Sequence, residues 1–446
     1  MDNQAAAWPF PVSPSTARSR VRNLWQEWLR EQSADNDESV NELEANLTAL
    51  AERESVVRAW VHRHPDEELR QAARALPDGP LHGWTLGVKD VIDTFDLPTE
   101  RGSPIYAGRQ TVNDAACVAL ARRAGALVIG KTVTTEFALF TANVTTSPHD
   151  PTRSPGGSSS GSAAAVAAGM TRAAFGTQTV GSVIRPAAFC GVVGFKCTHQ
   201  AVPMTGIATL AHSLDTLGWF TRSVDDAATL YRALSGAEAP SPDERRRRFG
   251  LYRAHQWPSA QPEQKQVLET AASALDAAGA QVIEIDPLPH LQDMFSASET
   301  IMAYESSRVF AWEREHHADL LDRRIHKLLT NGDRVTAAAY GDAKRAVAAA
   351  AETHDRWLIA NEVDALVTPS APGEAPLLAT TGDSVFNRVW TLLGGPAAHL
   401  PTGRGPLGLP VGVQLTGRRW DDLDLLATAQ FAETALADPE RDRSTR

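Results

Sequence analysis

Residues 154–169 read SPGGSSSGSAAAVAAG, and residues 176–196 read GTQTVGSVIRPAAFCGVVGFK. Each stretch opens on small residues and runs at once into an apolar segment. Glycine opens backbone paths that side chains forbid, including close approach to a ligand. A flexible tether has no reason to lead into AAAVAAG or AAFCGVVGF, because such segments belong in a core. Both stretches therefore read as buried turns. Each presents a serine, Ser158 and Ser182.

The flanking sequence says what the turns are set in. WTLGVKDVIDTF (84–95) reads as a strand entering a loop, and ALVIGKT (126–132) as a second strand. Between them DAACVALARRAG (114–125) reads as a helix closed by Gly125. This β–α–β texture favours a sheet covered by helices. Further on, residues 225–234 and about 261–278 read as helices, 236–248 as an exposed linker, and 291–361 as mostly helical. Strands are expected in FGLYRA (249–254), QVIEIDPLP (281–289), VDALVTPSAP (363–372) and LPVGVQLTG (409–417), before a closing helix. Upstream, WPFPVSP (8–14) reads as an extended arm. From Thr16 to Ala75, apolar residues including Leu43, Leu47 and Leu50 recur at helical spacing, which predicts two or three amphipathic helices.

Composition narrows the class. The chain has 446 residues, 43% hydrophobic and 22% charged, a globular balance that excludes wholesale disorder. Its net charge of −11 argues against a nucleic-acid or membrane-surface binder. Cys117, Cys190 and Cys197 fit neither a disulfide framework nor a zinc pattern. No apolar run reaches membrane-span length, and the N-terminus lacks the layout of a secretory signal. A cytoplasmic enzyme is the expectation.

Three motif matches point elsewhere. Residues 125–132, GALVIGKT, spell a phosphate-binding loop, but Ala, Leu, Val and Ile in its spacer are strand residues. Gly157–Gly161 spells a nucleophile elbow around Ser159, but SPHDPTRSP before it is no apolar strand. Arg245–Arg248 reads as a solvated linker.

A serine nucleophile needs a base. No histidine here lies in a turn that looks built for chemistry, so a lysine held neutral by burial is the substitute. Lys89, amid apolar residues in LGVKDVID, is the candidate, although taken alone it reads better as a strand-edge surface residue. The N–H groups around Val180, Gly181 and Ser182 are candidates for an oxyanion hole.

With GVKD, TERGS (99–103), the two Gly/Ser stretches, SLDTLGWFTRSVDD (213–226), VTPSAP (367–372), GGPAAHLP and GLPVGVQLTG together, the chain resembles the amidase signature family. The likeness is strong over about 80–235 and weaker elsewhere. It implies a single α/β/α sandwich domain with a large central mixed β-sheet, whereas length alone suggests about three domains. Residues 1–76 would then be an arm and helical cap, 80–235 the catalytic segment, and 250–446 the rest of the sheet, covering helices and substrate pocket.

The resemblance also implies roles. Ser182 would be the acyl-accepting nucleophile. Ser158, preceded in the family by a cis peptide, would relay the proton to Lys89. Thr179, Val180, Gly181 and Ser182 would form the oxyanion hole. Ser160 and Thr177 would support the relay with their hydroxyls. No metal or organic cofactor is required. The family pattern G-T-D-T-G-G-S-I-R-x-P is departed from at Gln178 and Val180, and Arg185 stands three positions after the serine instead of two. Arg185 either contacts a substrate carboxylate or caps backbone carbonyls. Asp215 reads as structural. Gln178 and Trp219, with Trp312, Trp390 and Phe386, are candidates for the substrate pocket, alongside residues 137–146.

The function expected is hydrolysis of a small-molecule amide, or a carbamate, by a protein whose default assembly is a homodimer. Two alternatives stand beside it: a glutamine- or asparagine-dependent amidotransferase component, and a serine esterase using Ser159.

Overall fold

The computed structural model describes residues 37–238 and 245–437. The proline-rich arm, the start of the first predicted helix and the middle of the linker lie outside the described residues. Eleven strands form one sheet: β1 (Trp60–Arg63), β2 (Thr85–Lys89), β3 (Leu127–Thr132), β4 (Ala173–Gln178), β5 (Val193–Lys196), β6 (Thr216–Thr221), β7 (Arg248–Tyr252), β8 (Gln281–Ile285), β9 (Ala365–Pro369), β10 (Ala397–Arg404) and β11 (Pro410–Thr416). Their order is β1-β3-β2-β4-β6-β5-β10-β11-β9-β7-β8. The pairs β2–β3, β2–β4, β7–β8 and β7–β9 are parallel and the others antiparallel, so the sheet is mixed.

Side chains alternate across a strand, and adjacent residues of β6 show the two layers. Trp219 belongs with Phe195 to an apolar cluster that takes in helices Ala116–Arg123, Val224–Ser235, Pro262–Ala277 and Asp422–Ala435. Phe220 belongs to another, on the opposite side, that takes in helices Asp37–Val57, Asp66–Ala73, Ser160–Ala167 and Ile184–Cys190. A third cluster joins helices Met294–Val309, Arg323–Arg334 and Ala337–Ala360 to Phe137 and Trp390, with Val180 packed against it. The expected sandwich of helices around a mixed sheet is therefore the fold.

The Gly/Ser/Ala stretch is a helix because it must lie close to the sheet. Seven of the eight residues of Ser160–Ala167 are buried. A Cβ on Gly161 would stand 2.2 Å from the Ala59 carbonyl oxygen, a distance no real side chain tolerates.

Strand β1 corrects the helical reading of residues 16–75. The spacing of Leu43, Leu47 and Leu50 is helical and all three are buried. The helix then ends where Glu54 accepts the N–H groups of Ala59 and Trp60, both at 3.0 Å. The next four residues, half-buried and exposed in alternation, become an edge strand against β3. No helix among the described residues is long and apolar enough to cross a membrane.

Candidate active site

Strands β2, β3 and β4 are parallel, so their C-terminal ends share one edge of the sheet, where open α/β sheets gather chemistry. Lys89 is the last residue of β2 and stands in register with Thr132, the last of β3. It is fully buried. Its Nζ donates to Ser158 Oγ at 2.8 Å and to Thr177 Oγ1 at 2.9 Å. No carboxylate among the described residues forms an ion pair with it. Burial pulls its pKa down to about 7; Asp215 works against that shift and the Arg185 cation adds to it.

Ser158 lies in the loop before helix Ser160–Ala167, and its preceding peptide with Gly157 is cis. The loop is held from three sides. Ser160 Oγ donates to the Gly156 carbonyl at 2.8 Å and accepts from Asn143 Nδ2 at 3.0 Å. Ser159 Oγ bonds both the N–H and the carbonyl of Thr177, each at 3.3 Å. Arg185 donates through Nε and Nη2 to the Gly157 carbonyl, at 3.2 and 2.5 Å, and through Nη1 to the Gly382 carbonyl at 2.9 Å.

The turn after β4 presents Ser182. Gln178 Oε1 accepts the N–H groups of Val183 and Ile184, at 2.8 and 3.0 Å. The preceding N–H groups, of Thr179, Val180, Gly181 and Ser182, meet no acceptor among the described residues. Gln178 Nε2 donates to Thr391 Oγ1 at 2.9 Å, and that hydroxyl donates to the Val180 carbonyl at 2.9 Å. Thr179 Oγ1 donates to Asp215 at 2.6 Å, while the other Asp215 oxygen accepts from Leu210 and Ala211. Burial raises the Asp215 carboxyl to about 6, against the pull of these donors. Gly181 presses on Asn387: a Cβ there would stand 2.6 Å from Asn387 Oδ1. Ser182 is 5% exposed, and its hydroxyl bonds to none of the described residues. The arrangement is a neutral-prone lysine on one serine, and a second serine on a turn whose N–H groups meet no acceptor among the described residues. Such a set suits acyl transfer.

The structure thus brings Lys89, Ser158 and Thr177 into hydrogen-bonded contact, with Ser160 bracing the serine loop through Gly156 and Asn143, and Thr179–Ser182 into one loop. Two expectations are corrected, those for Trp219 and Gln178, and of the two readings of Arg185 the carbonyl-capping one is what the structure shows. Trp219 lines no pocket: it is fully buried, with Nε1 on the Ala227 carbonyl at 3.2 Å and its ring 5.3 Å from Phe195. Gln178 commits its amide to the loop backbone and Thr391. Arg185 commits its guanidinium to carbonyls, not to an open pocket. Ser159 is fully buried and spends its hydroxyl on the Thr177 backbone, where it braces the loop. Phe386 and Trp390 are also core, while Trp312 is half-exposed. The phosphate-loop match is the buried β3, whose Lys131 bonds Ile92 and Thr99.

Sequence reasoning misses the bracing residues Thr381, Gly382, Ser384, Asn387 and Thr391. Nothing local in TTGDSVFN signals that it will lie on a turn some two hundred residues away. Beside the site, a cavity of about 720 Å3 is walled by Thr141, Asn143, Val144, Asp90, Thr134 and Leu320 among others. Its wall reaches the serine loop through the Asn143–Ser160 bond.

The amidase family model matches residues 42–426. The chain is 31% identical to the A component of a glutamyl-tRNA(Gln) amidotransferase from Cereibacter sphaeroides, over 90% of this chain and 94% of that one. It is 32% identical to the corresponding component from Chloroflexus aurantiacus, over 86% and 90%. Among solved structures, the peptide amidase of Stenotrophomonas maltophilia superposes with a TM-score of 0.74 at 30% identity, covering 96% of this chain and 98% of that one. A 6-aminohexanoate cyclic dimer hydrolase superposes with a TM-score of 0.79 at 26% identity, covering 89% and 93%.

Proposed function

The chain belongs to the amidase family, and from that premise we propose that it is a serine amidohydrolase acting on a small-molecule amide through an acyl-enzyme on Ser182. The observation that carries the reading is the buried Lys89–Ser158 hydrogen bond, made by a lysine with no ion-paired carboxylate and a pKa near neutrality.

In this reading neutral Lys89 accepts the proton of Ser158 as Ser158 accepts that of Ser182. Ser182 Oγ bonds to the carbonyl carbon, and the oxyanion is held by N–H groups of residues 179–182. The C–N bond breaks as protonated Lys89 returns its proton, through Ser158, to the leaving nitrogen. Water then adds to the acyl carbon by the same relay and releases the acid. In this reading Ser158 closes onto Ser182, whose hydroxyl bonds to none of the described residues, as substrate binds. Catalytic hydrogen bonds commonly tighten at that stage.

The test is a fluorophosphonate probe with the adduct mapped by mass spectrometry. A label on Ser182, lost in Ser182→Ala and Lys89→Met, supports the reading. Absence of label on folded wild-type protein refutes it. A panel of aliphatic, aryl, carboxylated and carbamate substrates then defines the acyl group.

The identity to these amidotransferase components supports a second reading, in which the same chemistry frees ammonia from glutamine or asparagine for a partner protein. Glutamine hydrolysis that rises when a copurifying partner is added would favour it. Full activity of the isolated chain on simple amides would exclude it.

A further inference from the structure

Arg185 stands three residues beyond Ser182 in the helix Ile184–Cys190 and is 8% exposed. No carboxylate pairs with it among the described residues; its side-chain hydrogen bonds go to two backbone carbonyls. One is that of Gly157, the peptide that carries Ser158. The other is that of Gly382, next to Thr381, whose Cγ2 would stand 2.8 Å from a Cβ on Gly157. A planar guanidinium holds one carbonyl with two N–H groups and a second with another, in one fixed geometry that the single nitrogen of an ammonium does not reproduce.

We propose that Arg185 is a positioning residue for the proton relay, fixing Ser158 through the Gly157 carbonyl and tying that peptide to the 381–391 segment that also braces the nucleophile turn. The proposal rests on the relay reading above. It has two separable parts. The fork sets where Ser158 Oγ stands relative to Lys89 Nζ. The positive charge favours the neutral form of Lys89. The charged groups acting on Lys89 are Asp215, from the turn before β6, and Arg185 itself. The residues that β3 and β4 are seen to place beside it, Thr132 and Thr177, are uncharged.

The rate of fluorophosphonate labelling at Ser182 in the full-length protein, followed across about pH 5 to 10, separates the parts. Arg185→Lys keeps the charge and breaks the fork. Its plateau rate is expected to fall about tenfold or more, with the midpoint unmoved. Arg185→Met loses both, so its plateau falls as far and its midpoint moves to higher pH. Folding of each variant is checked by circular dichroism; if Arg185→Met does not fold, Arg185→Lys decides alone. Folded Arg185→Lys that labels at the wild-type plateau rate overturns the proposal, even if it melts at lower temperature. No label on wild-type Ser182 overturns the relay reading itself and the proposal with it.

Discussion

Lys89 Nζ and Ser158 Oγ are 2.8 Å apart, joined across 69 residues of sequence and sealed from solvent. A base must enter the reaction unprotonated. With the Lys89 pKa near 7, acylation of Ser182 is expected to rise with pH through neutrality and level off above it. The labelling rate against pH checks this. Lys89→Arg, charged at every accessible pH, is expected to be silent throughout.

The same burial costs stability. Folding lowers the Lys89 pKa from 10.5 to about 7, so between these values the unfolded chain holds the extra proton. Stability therefore rises with pH across that window. Lys131 and Lys196, each lowered to about 8 by burial, add to the trend. Lys89→Met is expected to melt a few degrees above wild type near pH 7, the gap closing toward pH 10. Calorimetry at the two ends of the window reads it; a gap that widens with pH would contradict the assignment.

Gly181 has no room for a side chain. Gly181→Ala would push a methyl to 2.6 Å from Asn387 Oδ1 and 2.9 Å from Ser384 Cβ. The turn must shift, and with it the N–H groups at 179–182. A loss of about 100-fold in acylation is expected from displacing such donors, with far-ultraviolet circular dichroism unchanged.

The two serine sites separate cleanly. Ser182→Ala is expected to abolish labelling and leave the melting temperature where it was. Ser159→Ala is expected to keep the label and lose about 1–3 kcal/mol, because Thr177 loses a buried partner. Denaturant titration with labelling of both variants makes the comparison.

Trp219 offers a control on the core. Trp219→Ala is expected to cost about 3–5 kcal/mol through the cavity it leaves. The label on its folded fraction should still fall on Ser182. Selective loss of substrate affinity without loss of stability would return Trp219 to a pocket wall.

The placement of the candidate residues was legible in sequence where residue type and spacing carry local meaning. Lys89 falls at the end of the strand expected in WTLGVKDVIDTF, although its burial shows only in the fold. The Gly/Ser stretches are buried turns because AAAVAAG and AAFCGVVGF must be covered. What was not legible depends on contacts across the chain. Gln178 looks like a pocket residue until Val183, Ile184 and Thr391 are seen to use up its amide. Trp219 looks like pocket wall until the alternation of β6 turns it to the core and Phe220 to the other face. Arg185 shows its partners only when Gly157 and Gly382 come together. The edge strand at Trp60 hides in a helical composition because pairing with β3, not local propensity, decides it.

The Gln178–Thr391 bond spans 213 residues, and the Arg185–Gly382 bond 197. A ribosome that has just finished β6 has already made the lysine and both serines, yet none of the segment that braces them. In the proposed reading the reacting groups lack this bracing until residues 381–391, in the last seventh or so of the chain, have been made. Nascent chains arrested before Thr381 should take no fluorophosphonate label, whereas released full-length protein should.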